Sequence, residues 1–398
     1  MRRTLPTGWA AAAWALVAAL VVWVVWQSAA PPRQWVVTQW LLSWEFGFVK
    51  RGLPGEVVRR LEPFRDHLTI AVAATAATVA ASLALIGRVL VSLRGAFRDP
   101  GAPLFAAFFL AHFAVLPNMA ADAGRFDHIG VLALVLVLGL VSRASSRGWS
   151  PGPWLIPIFV LGLLTHEAWL FLFIPSMVAA WWFASVDEGR ENRRLDPWIP
   201  AAAGVVLVTL GIVTRFGGMR SMTLTEHYER LSAGIDAPVD RSSVRVLHDA
   251  LAESSANTRN YILNLETLLD HLLLLVTFAP TVALLFLMLR AAGAVDASGW
   301  ALRRRVIAAA PLTPLALYPI GLDYVRWCSL VVVLSLTLLA WRMRVPAVRE
   351  AVLGVVARYW WLVGLTLLVT LVMGEAGVYF AFPARMQEIW AASDRAFR

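Results

Sequence analysis

Nineteen residues, Gly8 to Trp26, pass without a charged side chain, and comparable apolar runs recur along the whole chain between short links. A helix rises 1.5 Å per residue, so about 20 apolar residues cross a bilayer core of about 30 Å. Eleven candidate spans follow: 8–28, 67–93, 103–119, 128–142, 154–165, 167–185, 197–216, 270–290, 305–320, 325–342 and 352–373. Hydrophobic residues make up 59% of the chain and charged residues 15%, where soluble domains carry roughly 25% charged. The surplus apolar surface has to face lipid. A disordered, collagen-like or disulfide-stapled chain is excluded, and so is an ordinary two-domain cytosolic enzyme. The expected fold is all-α: a polytopic integral membrane protein of about 11 transmembrane helices, with residues 1–398 as a single transmembrane domain.

The net charge is +9, and Lys50 is the sole lysine beside many arginines, a bias that points to a GC-rich bacterial genome. Basic excess in such a chain does not imply nucleic acid, because membrane proteins gather Arg in their cytoplasmic loops. The start Met1-Arg2-Arg3 favours a cytoplasmic N-terminus, which makes 1–7, 94–102, 143–153, 186–196, 290–304 and 342–350 cytoplasmic. Those segments carry repeated Arg, whereas the short outer links 120–127 and 321–326 hold only Arg125 and Arg326. The implied location is the bacterial plasma membrane, with the C-terminus outside. The run 8–26 is longer than a signal-peptide core, so the first span is expected to stay uncleaved. One cysteine, Cys328, permits no intrachain disulfide.

Residues 154–185 read as a hairpin of two short helices turning at Thr165-His166-Glu167, since one helix would run about 48 Å. Several spans are short, so their outer ends should be recessed around an outward-opening cavity. Two outer segments are long. In 29–66, Trp35, Trp40 and Trp44 are spaced by five and four, which suits a helix lying in the membrane interface; aromatic anchoring is the plain reading, and stacking on a sugar or prenyl chain the functional one. The second, 217–268, mixes amphipathic stretches with turn residues and reads as a folded lid.

Four polar clusters fall on the outer side of this topology. EFGFVKRGLPG, residues 45–55, sets Glu45 before Lys50 and Arg51, with Gly and Pro for tight turning. A point charge beside a planar fork suits a phosphate, although the pair also suits lipid headgroups. DAGRFDH brackets Arg125 between Asp122 and Asp127, either as a structural salt bridge or with one carboxylate left to handle an acceptor hydroxyl. His166-Glu167 is a base and its orienter or a capped turn, and Asp323 and Arg326 are three apart at a helix entrance, where a local pair is expected. His112 and His271, alone in apolar helices, read as packed and hydrogen-bonded. No spacing matches a zinc, EF-hand, P-loop or dinucleotide motif, so neither metal nor cofactor is expected. Ionisable groups bordering spans are costly and mark substrate pathways. Their joint placement suggests a site for an anionic, lipid-bound substrate.

The chain resembles membrane glycosyltransferases of the GT-C class: about ten to thirteen spans, and a first outer loop with an interfacial helix and a carboxylate. Glu45 stands where that class more often has Asp. EFGFVKRGLPG with GRFDH, THEA and DYVRW is also similar to bacterial membrane proteins of surface-polysaccharide assembly. The resemblance implies a polyprenyl-phosphate-linked sugar donor, a glycan or lipid acceptor, and membrane lipids as partners. Lys50 and Arg51, helped by Arg125 or Arg326, would hold the phosphate, and Asp127 or Glu45 would take the acceptor proton in a single inverting displacement. Asp122 and Glu167 are the other carboxylates open to that role, with His166 and Asp323 among the substrate contacts. A polysaccharide polymerase or ligase is the alternative within this chemistry. A transporter or flippase is the alternative outside it, although no internal repeat is evident and the polar residues crowd one side.

Overall fold

The computed structural model describes residues 4–61, 66–186, 196–219, 221–236, 238–248, 265–295, 301–319 and 323–373. These are helical throughout, with no strand among the described residues. All eleven candidate segments carry helix. Six helices are long and apolar enough to cross a membrane: Thr7–Ser28, His67–Ser92, Phe126–Arg147, Trp198–Phe216, His271–Ala294 and Tyr324–Arg342. Pro346–Arg358 with Trp360–Val372 makes a seventh if the pair, bent by 72°, counts as one span. The remaining segments are shorter apolar helices, Gly101–Leu110, Gly152–Thr165, Trp169–Ser185 and Arg305–Leu317. Between Gly152–Thr165 and Trp169–Leu172 the chain leaves helix at His166, so 154–185 is not one continuous helix.

By compactness the chain divides into two discontinuous units. The first comprises Met1–Ala29, Ser82–Ala121 and Thr258–Arg398. Within it, Thr7–Ser28 packs on Gly101–Leu110 and Leu116–Ala121, and Leu265–Ala294 packs on Tyr324–Arg342, Pro346–Arg358 and Trp360–Met373. The apolar run 103–119 breaks in two because Pro117, in the first turn of Leu116–Ala121, cannot donate a helical hydrogen bond. That break exposes backbone groups which lipid cannot satisfy. Side chains meet them: Phe113 N–H donates to Thr370 Oγ1 at 3.1 Å and Ala114 N–H to His112 Nδ1 at 2.9 Å. His112 Nε2 then lies 2.8 Å from Thr281 Oγ1.

The second unit comprises Ala30–Ala81 and Asp122–Asn257. Phe126–Arg147 packs on Ile174–Val186, and Trp198–Phe216 on Gly152–Thr165. Its apolar core gathers Val36, Val37, Trp40 and Leu41 from the helix Gln34–Leu41, Val58 from Gly52–Arg60, Ile70 and Phe126 from two long helices, and Leu231, Val244 and Leu247 from the segment after residue 217. The two long loops of the sequence are therefore packed together. Thr223 and Asp240 cap short helices in the later loop by accepting from Glu226 N–H at 3.2 Å and Ser243 N–H at 2.7 Å. The loop is tied back where Asp240 N–H donates to Thr38 Oγ1 at 2.8 Å and Ser243 Oγ to the Trp35 carbonyl at 3.2 Å.

The tryptophans of the first loop serve this packing. Trp40 is 8% exposed, donates from Nε1 to the Gly124 carbonyl at 2.7 Å, and lies 5.7 Å from the Phe126 ring. A ring at the lipid interface would keep one side wet; Trp40 is inside. Gly124 receives it with φ +88, and a Cβ there would lie 2.6 Å from Ala74 Cβ and 2.9 Å from Val36 Cγ1. Gly124→Ala is accordingly expected to destabilise the protein by roughly 1–3 kcal/mol, from overpacking and a left-handed backbone, measured as a lowered midpoint of thermal unfolding in detergent.

Candidate functional site

The segment Glu45–Gly55 is a built turn. Trp44 Nε1 donates to the Val49 carbonyl at 3.1 Å, Gly47 takes φ +120, and Lys50 N–H donates to the Gly217 carbonyl at 2.8 Å. Ser221 Oγ donates to the Phe46 carbonyl at 3.1 Å, so the second loop holds the first at two points. Arg51 then adopts a left-handed conformation, φ 64, as the residue before the helix Gly52–Arg60. Such backbone costs a non-glycine residue roughly 1–2 kcal/mol and is kept where surrounding contacts impose it. Gly55 has an ordinary backbone role in close packing: a Cβ there would run into the Leu42 carbonyl.

The contact that imposes Arg51 comes from 116 residues away. Its Nε lies 3.2 and 3.0 Å from the two carboxylate oxygens of Glu167, and its Nη2 donates to Glu167 Oε1 at 2.7 Å. The side chains are 15% and 22% exposed, a half-sheltered setting in which a two-point charge-assisted pair is strong. Glu167 takes the Nε–Nη2 edge of the guanidinium, which fixes the plane in which the Nη1 edge points. Next door, His166 Nδ1 accepts from Ala168 N–H at 3.1 Å and lies 3.6 Å from Glu167 Oε2. With that lone pair engaged, the neutral ring carries its proton on Nε2. The charge of Lys50 also bears on Glu167.

Asp122, Arg125 and Asp127 form a different kind of cluster. All three are buried, at 2%, 5% and 4% exposure. Arg125 Nη1 donates to Asp122 Oδ2 at 3.3 Å and its Nε lies 3.5 Å from Asp127 Oδ2, while its guanidinium sits 4.9 Å over the Trp35 ring. Arg33 approaches Asp122 Oδ1 at 3.7 Å, a neighbour that no spacing in the sequence announces. This geometry fits the salt-bridge reading of DAGRFDH better than that of a base, because a carboxylate so covered and so paired is not open to an acceptor hydroxyl. His128 follows suit: its Nδ1 is 2.8 Å from Thr78 Oγ1, which in turn accepts from Gly124 N–H at 2.7 Å. Glu45 differs from these in exposure. It is exposed, in the turn, five residues before Lys50.

Three of the four sequence clusters thus lie in one compact unit. The fourth belongs to the other: Arg326 Nη1 donates to Asp323 Oδ2 at 2.7 Å as a local pair three residues apart. There His271, Tyr318, Tyr324 and Trp327 stack on one another, with centroids 4.4 Å apart for His271–Tyr324 and 5.7 Å for Tyr324–Trp327. No group of three metal-ligating side chains occurs among the described residues. Compared with family models, curated proteins and solved structures, the chain matches none.

Two consequences are measurable. A double-mutant cycle on Arg51→Ala and Glu167→Ala is expected to return a coupling of about 1–3 kcal/mol in thermal or denaturant unfolding. At the end of the same helix, the hydrogen bond from Arg59 holds the Glu56 carboxyl down to about 2, with burial opposing and Arg60 assisting. A depressed carboxyl contributes stability that is complete above its ordinary value and is lost as pH falls through the folded value. Stability should therefore decline between about pH 4.5 and 2, and Glu56→Gln should flatten that part of the profile.

Proposed function

We propose that the chain is a glycosyltransferase that moves a sugar from a polyprenyl-phosphate-linked donor to an acceptor hydroxyl at the outer face of a bacterial plasma membrane. The observation that carries this reading is the cluster of Lys50, Arg51 and Glu167, in which a distant carboxylate aims the guanidinium. An oriented arginine beside a lysine is a phosphate grip, and it is ready before the ligand arrives. In the GT-C-like reading, about eleven spans with short recessed helices surround the outward cavity where this grip lies, the N-terminus is cytoplasmic and the C-terminus outside.

The donor phosphate takes the Nη1 edge of Arg51 and the ammonium of Lys50, which stabilise the charge that develops as the sugar–phosphate bond breaks. Glu45, exposed in the same turn, takes the proton of the acceptor hydroxyl as its oxygen attacks the anomeric carbon, giving inversion. Glu167 and His166 position Arg51 and the turn around it. Asp122, Arg125 and Asp127 anchor the floor of the same unit.

Native mass spectrometry of the protein purified in mild detergent tests the grip: a co-purifying polyprenyl phosphate should be bound by the wild type and lost from Lys50→Ala/Arg51→Ala. Glu45→Gln should retain that lipid while sugar transfer falls by 10²-fold or more. A lipid indifferent to the double substitution, or transfer indifferent to Glu45→Gln, would reject the assignment. A product ladder of repeat units in place of a single added sugar would identify a polymerase.

A further inference from the structure

Two histidines of the second long loop meet in the same unit as the Glu45–Gly55 turn, and the proposed transfer uses neither. The helix Leu224–Ala233 buries one face, which carries His227 and Leu231 four residues apart, and His227 is only 2% exposed. His227 Nδ1 lies 3.2 Å from Nε2 of His248, which stands in the turn after the short helix Arg241–Arg245. The His227 ring also meets Phe46 edge-on, with centroids 5.9 Å apart, and Arg230 sits 5.7 Å over the same Phe46 ring. Phe46 thus docks on this helix, while its carbonyl accepts from Ser221 Oγ. The start of the loop is held at both sides, where Met219 N–H donates to the Leu247 carbonyl at 3.0 Å and Lys50 N–H to the Gly217 carbonyl.

Two facing ring nitrogens bond only if one carries a proton and the other a lone pair. A pair of neutral rings meets that condition, and so does the pair after it gains one proton. A second proton makes both nitrogens donors and sets two cations 3.2 Å apart, with His227 shut off from water. We propose that the His227–His248 pair is an acid-sensitive latch that holds the second long loop against the turn bearing Lys50 and Arg51. On the His227 helix the other charged groups are Glu226, Glu229 and Arg230, of which Glu226 and Arg230 pair at 2.7 Å. The neighbouring short helix brings Arg245, Arg241 over the Tyr228 ring, and Asp240, which caps it. The turn brings Glu45 and Lys50. Burial, and then the charge of His248, push the His227 imidazolium down from 6.5 to about 4. Opening returns His227 to its ordinary value, so the open form takes up the proton first. The closed form is therefore fully favoured above about pH 6.5 and loses ground as pH falls towards 4. The latch does not depend on sugar transfer being the activity of the chain.

Hydrogen exchange of the full chain in detergent, read by mass spectrometry and corrected for the chemical dependence of exchange on pH, tests the latch. From about pH 7.5 to about pH 5, amides of 217–233 and of the turn 46–51 should exchange roughly tenfold faster or more in the wild type. Those of Phe126–Arg147 should not change. His227→Asn sets an amide near the place of Nδ1, so it keeps a hydrogen bond to His248 and removes the titrating group. Its loop should be protected as in the wild type at the higher pH and respond about threefold or less to acid. His248→Gln offers an amide oxygen that accepts from a protonated His227; it should at least halve the acid response, and it serves if the first variant fails to fold. No acid response in the wild type, or the same response in the wild type and both variants, would overturn the assignment. So would an acceleration shared equally by Phe126–Arg147, because acid would then loosen the whole unit and the pair would control no separate contact.

Discussion

A charge that leaves bulk water must bring its partner with it, and the Arg51–Glu167 pair is where this chain meets that demand most consequentially. The pair fixes the left-handed residue that starts the Gly52–Arg60 helix and ties the first long loop to the break between two short apolar helices. Without Glu167, the arginine would be a half-sheltered cation on a strained backbone. The same rule recurs at smaller cost. Thr370 and His112 supply what the broken helix at Ala111–Val115 lacks, and Trp40 spends its one donor on the carbonyl of Gly124. At these breaks polar atoms are met by side chains because hydrocarbon offers no substitute for water.

The two basic clusters obey this rule differently. Around Arg125, two aspartates and a tryptophan ring surround one guanidinium, so the cluster is closed and rigid. At Arg51 a carboxylate from a distant part of the chain fixes the plane of the guanidinium, with Lys50 alongside. A closed cluster stabilises a fold, and an oriented guanidinium fixes the direction from which an anion can be met.

Much of the helical layout was legible from run length alone, since every apolar segment long enough to read as a span carries helix. The compositional signal failed at finer grain. The stretch from Pro103 to Met119 holds no Asp, Glu, Lys or Arg, so its break shows only in retrospect, from Pro117 and from a threonine 257 residues downstream of Phe113. The tryptophans at 35, 40 and 44 have spacing that fits a membrane interface and a buried helix equally well, and only the glycine facing Trp40 distinguishes the two. Of the candidate site, the turn chemistry of Glu45–Gly55 was readable from its Gly and Pro. The mate of Arg51 was not, because a contact across 116 residues leaves no periodic trace. Arg33 near Asp122 was hidden for the same reason.

The sole lysine has a practical consequence. Its backbone N–H is held by Gly217, so the ammonium emerges from a fixed point in the turn. Apart from a terminal amine, a reagent that forms a stable amide or secondary amine has a single side-chain amine to find. The native sequence thus carries its own attachment point for a fluorophore or crosslinker at the position of greatest interest, with no engineered cysteine required.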